Sequence, residues 1–186
     1  MDNFSRLFDL LTAHLTSGFL LALDGRCASG KTTLAVRLQD ALGCNVIHID
    51  DFYLPLAKRS AERMAEPGGN VYVERLRTEV LSPLCAGKKV SYCPYDCHAD
   101  RFLSPQKLVP ALPTLIEGSY SCHPGLRSFY NCCVFLDITP DRQRERLLQR
   151  NPESFEAFKN MWIPREEYYF KHCEIRSHCD LVLLAE

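Results

Sequence analysis

The chain has 186 residues, a length that fits one domain and allows most of its apolar surface to be buried on folding. Hydrophobic residues make up 46% of the sequence and charged residues 24%, which is ordinary for a globular protein. The formal net charge is −1, so bulk charge indicates neither a nucleic acid nor a membrane surface as a partner, and any anion must bind through locally placed cations.

Strands alternate with helices in the hydrophobic pattern of the chain. Apolar residues at helical spacing predict helices over 2–16, 31–42, 73–85 and 140–149, and a last helix from Pro164. Continuous apolar runs predict buried strands at 19–23, 45–49, 115–116, 132–137 and 181–184, with a short strand-like segment at 89–95. The remaining segments are predicted as a loop with one or two helical turns over 55–70 and a proline-punctuated connector over 101–113.

This alternation predicts one α/β domain over residues 1–186. Strands buried on both faces are typical of a mostly parallel central sheet with helices packed on either side, in three layers. Right-handed crossovers are expected to connect the strands. One domain with a mobile flap accounts for the whole chain.

The N-terminus and the cysteines both predict a cytoplasmic protein. Residues Met1–Arg6 lack the basic region and long apolar segment of a signal peptide, and Gly18–Leu23 is far too short to span a bilayer. The ten cysteines are scattered, so we expect buried, reduced thiols rather than disulfides. Because no paired C-x-x-C is present, we expect no zinc site at Cys93, Cys97 and His98.

A complete phosphate-binding motif follows the first predicted strand. The stretch from Gly25 to Thr32 fits G-x-x-x-x-G-K-[ST] and opens a predicted helix. Gly25 and Gly30 permit backbone angles that turn successive N–H groups toward a phosphate, and the helix N-terminus adds partial positive charge. We expect Lys31 to reach the β- and γ-phosphates of a nucleotide and the Thr32 hydroxyl to bind Mg²⁺. The predicted cradle comprises Gly25, Ala28, Ser29, Gly30, Lys31, Thr32 and Thr33.

Two adjacent carboxylates, Asp50 and Asp51, end the second predicted strand about twenty residues later. In doubly wound sheets ligands bind outside the carboxyl ends of the strands. A carboxylate there can face the γ-phosphate and accept a proton from an attacking hydroxyl. Adjacent side chains cannot both point inward, so we expect one acid to be catalytic and the other solvated. A solvated loop with two acids is the alternative.

Several motifs together resemble the uridine kinase and phosphoribulokinase-like family of P-loop kinases. Besides the phosphate-binding loop they are Asp50-Asp51-Phe52-Tyr53, Gly87-Lys88-Lys89-Val90, Pro94-Tyr95-Asp96 and Ile116-Glu117-Gly118, in the family's order over residues 18 to about 150. The resemblance implies a P-loop NTPase fold like that of nucleoside and nucleoside monophosphate kinases, with ATP and Mg²⁺ as cofactors. The roles that it implies are general base for Asp50, nucleoside binding for Tyr53 and Tyr95, and a position near Mg²⁺ for Glu117.

Two segments depart from the family pattern. The usual Asp-His-Pro is replaced by Glu66-Pro67-Gly68-Gly69-Asn70, and the usual His-Ser-Arg by His98-Ala99-Asp100-Arg101. Arg101 keeps its register, so the resemblance implies that it contacts the substrate. Because these positions contact the sugar and base in family members, we expect an acceptor that differs from uridine or is broader.

Arginines mark one face of the helix that begins at Pro140. Arg142, Arg146 and Arg150 are spaced by four residues and so share that face. The pattern resembles the lid of such kinases, where arginines neutralise charge on the transferring phosphoryl group and exclude water; Arg146 and Arg150 best match the family positions. A solvated helix face, with Asp141 and Glu145 as partners, is the alternative.

The lid is predicted to span about 142–163. The aromatic residues over 155–170 have helical spacing, and we expect them to belong to the core rather than to stack on a base.

The sequence thus predicts a kinase that transfers the γ-phosphoryl group of ATP to a hydroxyl of a nucleoside-like small molecule. Lys31, Asp50 and the lid arginines would carry the reaction mainly through positioning and electrostatics. Two alternatives stay open: a nucleoside monophosphate-type kinase, served by arginines such as Arg101 and Arg127, and an ATP-binding regulatory switch without acceptor turnover. The expected partners are a nucleotide and a small molecule, with neither nucleic acid nor membrane, and a homo-oligomer is left open.

Overall fold

The computed structural model describes residues 2–15, 18–150 and 152–185. Its strands are β1 (Leu20–Gly25), β2 (Asn45–His48), β3 (Val90–Tyr92), β4 (Tyr95–Asp96), β5 (Arg101–Phe102), β6 (Gln106–Leu108), β7 (Thr114–Glu117), β8 (Cys132–Asp137) and β9 (Leu181–Leu184). Its α-helices are α1 (Asn3–Thr12), α2 (Lys31–Leu42), α3 (Ala61–Ala65), α4 (Val73–Leu76), α5 (Ser82–Cys85), α6 (Pro124–Arg127), α7 (Pro140–Arg150), α8 (Phe155–Ala157) and α9 (Ile163–His172). Short 3₁₀ turns cover Ile49–Phe52, Leu56–Lys58, Pro152–Ser154 and Arg176–His178, and π-helical segments cover Arg77–Leu81 and Phe158–Trp162.

A parallel sheet in the order β2-β7-β1-β8-β9 forms the middle layer of the described structure. Every residue of β1 and β7 is buried, as expected for strands covered by helices on both faces. The register pairs Glu117 of β7 with Leu23 of β1 and with His48 of β2. The carboxyl ends of these three strands therefore meet at one edge of the sheet, and the loops that follow them come together there.

Helices cover both faces of this sheet. On one face, Leu7 and Leu11 of α1 pack with Leu34 and Leu38 of α2 in a buried cluster that includes residues of β1 and β8. On the other face, the helical stretch from α4 to α5 packs with α6 and with Tyr169 of α9. The three-layer α/β fold predicted from the sequence is thus confirmed.

The predicted helices occur with small changes at their ends. Helix α1 begins after Asp2, whose carboxylate accepts a 2.7 Å hydrogen bond from the Ser5 amide, and it ends at Thr12. The predicted end at residue 16 lies outside the described residues. The predicted helix over 73–85 consists of α4, a π-helical segment and α5 in direct succession.

The region between α5 and β7 differs from the prediction. The segment 101–113, expected to be a connector, contains β5 and β6, which form antiparallel ladders with β4 and β3 outside the main sheet. These strands are two or three residues long and mostly exposed, so they leave no apolar run in the sequence.

Across residues 2–15, 18–150 and 152–185, no helix combines the length and the hydrophobicity that crossing a bilayer would require.

Candidate active site

The phosphate-binding loop joins β1 to α2 in a conformation that requires glycine. Gly25 has a φ of 140°, and a Cβ there would overlap the Leu136 carbonyl group of the neighbouring strand. Gly30 has a φ of 100° and caps the N-terminus of α2. The motif therefore occupies the strand–loop–helix position that its sequence predicts, with the N-terminus of a twelve-residue helix directed at the loop.

Lys31 and Thr32 begin α2 and face different parts of the site. The buried Lys31 ammonium donates hydrogen bonds of 2.8 Å to the Gly25 carbonyl and 2.9 Å to the Arg26 carbonyl. The Thr32 hydroxyl donates to Glu117 Oε1 at 3.1 Å. The predicted cation for the phosphates and the two predicted magnesium ligands are therefore adjacent.

Glu117 is buried at the end of β7, between β1 and β2. His48 Nδ1, at the end of β2, lies 2.6 Å from Glu117 Oε1. The hydrogen bond to Glu117 raises the pKa of His48, with burial acting in the opposite direction. A carboxylate and a hydroxyl are oxygen ligands of the kind that Mg²⁺ prefers.

Asp50 and Asp51 lie in the 3₁₀ turn after β2 and face different surroundings. Asp50 lines the cavity next to the phosphate loop, whereas the Asp51 carboxylate accepts a 3.0 Å hydrogen bond from the Tyr92 hydroxyl. Asp50 is exposed to solvent, but many protein atoms also lie around its carboxylate. This surrounding raises the pKa of Asp50, and a hydrogen bond with Tyr53 opposes the rise.

One cavity of ≈ 580 Å³ brings half of the predicted site residues together. Those that line it are Ala28, Lys31, Thr32, Asp50, Tyr53, Glu117 and Arg150. We refer to it as the acceptor cavity, because it opens on the side of the phosphate loop that faces Asp50. Residues from loops and helices that are distant in the sequence meet there, at the carboxyl ends of β1, β2 and β7, as the position of sites in such sheets predicts.

Tyr95 and Arg101 are not among the residues that line this cavity. Tyr95 is buried in the β4–β5 hairpin, and its hydroxyl donates a hydrogen bond to Asp100. Arg101 is exposed on β5. The neighbouring Cys97 and His98 face the cavity instead, and the predicted substrate roles of Tyr95 and Arg101 stay predictions.

The arginines of α7 separate into two environments. Arg146 donates hydrogen bonds of 3.2 Å to the Ala28 carbonyl and 3.1 Å to the Ser29 carbonyl, so it holds the phosphate loop from the side. Arg142 is exposed and forms an ion pair of 3.0 Å with Glu145. This arrangement agrees with the alternative of a solvated helix face. On the helix face that the three arginines share, Arg142 thus forms a solvent-exposed ion pair, whereas Arg146 contacts the phosphate loop.

A second cavity, of ≈ 590 Å³, lies on the other side of the phosphate loop. Loop residues Ser29, Gly30 and Thr33 line it together with Arg146. Arg150 lines both cavities and therefore stands between them. Residues of the predicted phosphate cradle thus line both cavities.

The expectation that the aromatic residues over 155–170 are core is correct for Tyr169 and Phe170, which are buried. It is wrong for Phe158 and Trp162, which line the acceptor cavity. These two lie in the π-helical segment, where i→i+5 hydrogen bonds replace the helical period on which the expectation rested. Residue 151, within the predicted lid, lies outside the described residues.

Helix α9 holds the phosphate loop through carboxylates that sequence reasoning missed. Glu166 accepts a 3.0 Å hydrogen bond from the Cys27 amide, and Glu167 accepts one of 2.5 Å from Arg26 Nε. Arg26 also pairs with Asp137 at the end of β8. Pairs separated by more than a hundred residues leave no local signal, so only the fold could bring them to notice.

The cysteines give no sign of catalytic use. All ten are free thiols, and Cys27 is the one within the phosphate loop. Burial, assisted by the nearby Glu166 carboxylate, raises the pKa of Cys27 to about 12 and keeps it protonated at neutral pH. Within the described residues no group of three or more histidine, cysteine or acidic side chains could hold a metal ion.

The groups that the loop presents suit a nucleoside triphosphate with Mg²⁺. The Ser29 hydroxyl is buried without a hydrogen-bond partner among the described residues. It could therefore donate a hydrogen bond to a phosphate oxygen. The glycine conformations, the helix N-terminus and Lys31 surround the same point with backbone amides and positive charge. Thr32 and Glu117 lie beside it with oxygen atoms of the kind that would bind Mg²⁺.

Comparisons with known proteins agree with this geometry. No family model matches the sequence. The chain is similar to the structure of a protein described as a possible uridine kinase from Bacillus stearothermophilus, with 27% identity, a TM-score of 0.70 and coverage of 97% of this chain and 96% of that chain.

Two further solved structures share the fold. A protein of Silicibacter sp. TM1040, provisionally assigned as a fructose transport system kinase, is 21% identical, with a TM-score of 0.74 and coverage of 98% of this chain and 99% of that chain. A Thermus thermophilus protein is 15% identical, with a TM-score of 0.56 and coverage of 90% and 88%. The chain therefore has the fold of the P-loop kinases, and its resemblance to the uridine kinase and phosphoribulokinase-like family is confirmed.

Proposed function

We propose that this protein is a kinase that uses ATP and Mg²⁺ to phosphorylate a hydroxyl of a nucleoside-like small molecule. The observation that carries the proposal is that Lys31, Thr32 and Asp50 line one cavity. A hydroxyl kinase needs a phosphate cradle and a base that face each other across a space for the acceptor. A nucleotide switch has no use for such a space beyond the terminal phosphate.

Each residue has a task that follows from its position. ATP supplies the phosphoryl group; Thr32 and Glu117 would hold Mg²⁺, which would supply charge that neutralises the phosphates. Lys31 and the loop amides bind the phosphate oxygens. The acceptor oxygen forms a bond to the γ-phosphorus as the bond to the leaving ADP oxygen breaks, and Asp50 takes the hydroxyl proton. The raised pKa of Asp50 makes it a better base than an ordinary carboxylate.

Aromatic side chains support a flat acceptor. The rings of Tyr53 and Trp162 lie nearly parallel, with an interplanar angle of 20° and centroids 6.4 Å apart, and both line the acceptor cavity. Phe158 adds a third ring to the same surface. A nucleobase or a similar ring could stack on this surface, which would orient the attached sugar hydroxyl toward Asp50.

The test is the rate of ADP release with ATP and Mg²⁺ in the presence of nucleosides, nucleoside monophosphates, hydroxy acids, sugars and sugar phosphates. One acceptor that raises kcat/KM by orders of magnitude over background hydrolysis would support the kinase and name its substrate class. Uniform background hydrolysis despite measurable ATP binding would contradict it and favour the regulatory switch.

A further inference from the structure

One wall of the acceptor cavity presents hydrogen-bond donors that lack acceptors. We call Asn70, Tyr120 and Arg165, which all line the cavity, the donor wall. The Asn70 amide nitrogen and the Tyr120 hydroxyl are buried without hydrogen-bond partners among the described residues. Arg165 lies over the Trp162 ring, with 5.9 Å from its guanidinium carbon to the ring centroid, and within the described part of the chain no carboxylate pairs with it.

The three groups are neighbours. Burial raises the pKa of the Tyr120 hydroxyl, and the Glu166 carboxylate adds to that rise. Arg165 and Asn70 act in the opposite direction. All three side chains line the same cavity, and neither the Asn70 amide nitrogen nor the Tyr120 hydroxyl meets the geometry of a hydrogen bond with a described residue. The donors therefore form one surface rather than three separate sites.

Glu166, a carboxylate that also lines the cavity, already has hydrogen-bond donors. Glu166 accepts hydrogen bonds of 3.0 Å from the Cys27 amide and 2.7 Å from the Ser119 hydroxyl. Arg59 adds a further cation to the cavity, and its Nε donates a 2.7 Å hydrogen bond to the Leu54 carbonyl. Buried donors without acceptors are costly, so a ligand that brings several acceptor oxygens would be strongly favoured over one that brings none.

The donor wall lies close to the proposed base. Asp50, Tyr53 and Tyr120 line the same cavity. Burial raises the pKa of the Tyr53 hydroxyl, and Asp50 and Tyr120 both add to the rise. One small molecule could therefore place a hydroxyl at Asp50 and a second group at the donor wall.

We propose that the phosphate acceptor carries an anionic group, a carboxylate or a phosphate, that binds at the donor wall formed by Asn70, Tyr120 and Arg165. This inference rests on the proposed kinase function and narrows its acceptor. It also gives a physical reason for the loss of the family's Asp-His-Pro segment, because Asn70 supplies a neutral donor in that region of the chain. A neutral nucleoside can offer acceptor oxygens to Asn70 and Tyr120, but it would leave the Arg165 cation without an anionic partner.

The experiment compares acceptors in matched pairs, each an anionic compound with its neutral analogue: a hydroxy acid with the corresponding diol, a sugar phosphate with the sugar, and a nucleoside monophosphate with the nucleoside. ADP release should show at least a hundredfold higher kcat/KM for the anionic member of one pair. The pair that responds distinguishes a carboxylate from a phosphate. Higher kcat/KM for the neutral members would overturn the anion site and leave the kinase proposal standing.

Variants assign the effect to the donor wall. Arg165→Gln should raise KM for the anionic acceptor at least tenfold with little change in kcat, since it removes ground-state binding. Tyr120→Phe should raise KM severalfold and keeps the ring that packs on Tyr169, with centroids 4.9 Å apart. Arg77→Gln, an exposed arginine on the helix after α4, is the matched control and should behave as wild type. Equal KM values for all four proteins would overturn the inference.

Calorimetric titration of the same compounds in the presence of ADP separates the two proposals. Binding of an anionic compound without turnover, weakened at least tenfold in Arg165→Gln, would support the anion site and contradict the kinase. Neither binding nor turnover across the pairs would overturn both.

Discussion

The Tyr169 hydroxyl donates a 2.8 Å hydrogen bond to Asp24 Oδ2, which joins helix α9 to the end of the strand that precedes the phosphate loop. The same buried carboxylate accepts hydrogen bonds from the amides of Tyr120 at 3.1 Å and Cys122 at 2.8 Å. Asp24 thus fixes the turn after β7, which carries part of the acceptor cavity, relative to the phosphate loop. Both halves of the site depend on a residue that does not line the cavity.

Asp24→Ala should destabilise the protein by about 3 kcal/mol or more, because it leaves the buried hydroxyl of Tyr169 and three backbone amides without acceptors. Denaturant unfolding followed by circular dichroism measures the change. Asp9→Ala, at an exposed position of α1, is the control and should change stability by about 0.5 kcal/mol or less. Similar values for the two variants would show that the Asp24 network contributes little.

Asp24 should also make the stability depend on pH. Burial raises the pKa of Asp24 to about 6, against hydrogen bonds that lower it. In the unfolded chain an aspartate titrates near 4, so between about pH 4 and 6 the folded protein binds more protons than the unfolded chain. The contribution of Asp24 to the free energy of unfolding should therefore fall as the pH rises through this window and stay constant above it.

The Asp24→Asn variant isolates this effect, because its side chain does not titrate. The difference in free energy of unfolding, wild type minus variant, should decrease by about 2 to 3 kcal/mol between pH 4 and pH 7. A difference that does not change with pH would contradict the raised pKa.

What the sequence could predict follows from how local each signal is. The loop from Gly25 to Thr32 and the acids after β2 were found because their chemistry depends on spacing along a few residues. The hydrogen bond between Tyr169 and Asp24 joins residues 145 positions apart, so no local sequence pattern predicts it. The same holds for Glu166, which contacts the loop from α9.

The direction in which side chains point is the second feature of the site that the sequence does not predict. Trp162 was expected in the core, but the π-helical segment turns it toward the cavity. Tyr95 has the type and place of a substrate-binding residue, yet its hydroxyl bonds to Asp100 within a hairpin too short to predict. The sequence can thus indicate which residues belong near the site, but it does not show where their side chains point.

Lys31→Ala should abolish acceptor-dependent ADP release, because it removes the cation that would bind the transferring phosphates. In the structure the ammonium bonds to the Gly25 and Arg26 carbonyls at the base of the loop. Steady-state kinetics at saturating ATP measures the loss, and circular dichroism checks that the variant folds. Turnover close to that of wild type would contradict the assignment of the phosphate cradle.

Asp50→Asn should lower kcat by about 100-fold or more, the usual effect of removing a general base. Asp51→Asn is the matched control, since the Asp51 carboxylate bonds to Tyr92 rather than facing the cavity. We expect less than about a fivefold change in kcat for this variant, consistent with a residue outside the chemistry. If Asp51→Asn were the damaging change, the roles of the two carboxylates would be reversed.

Arg146→Gln should lower kcat/KM for ATP by about 100-fold, the scale found when a positioned donor at a transferring group is lost. Its guanidinium holds the Ala28 and Ser29 carbonyls, so the variant also loosens the loop whose amides would bind phosphate. Arg142→Gln, on the same helix but paired with Glu145 in solvent, is the control and should retain nearly full activity. Equal losses in both variants would indicate that the helix acts through its overall charge, whereas wild-type activity in Arg146→Gln would leave α7 as a solvated face.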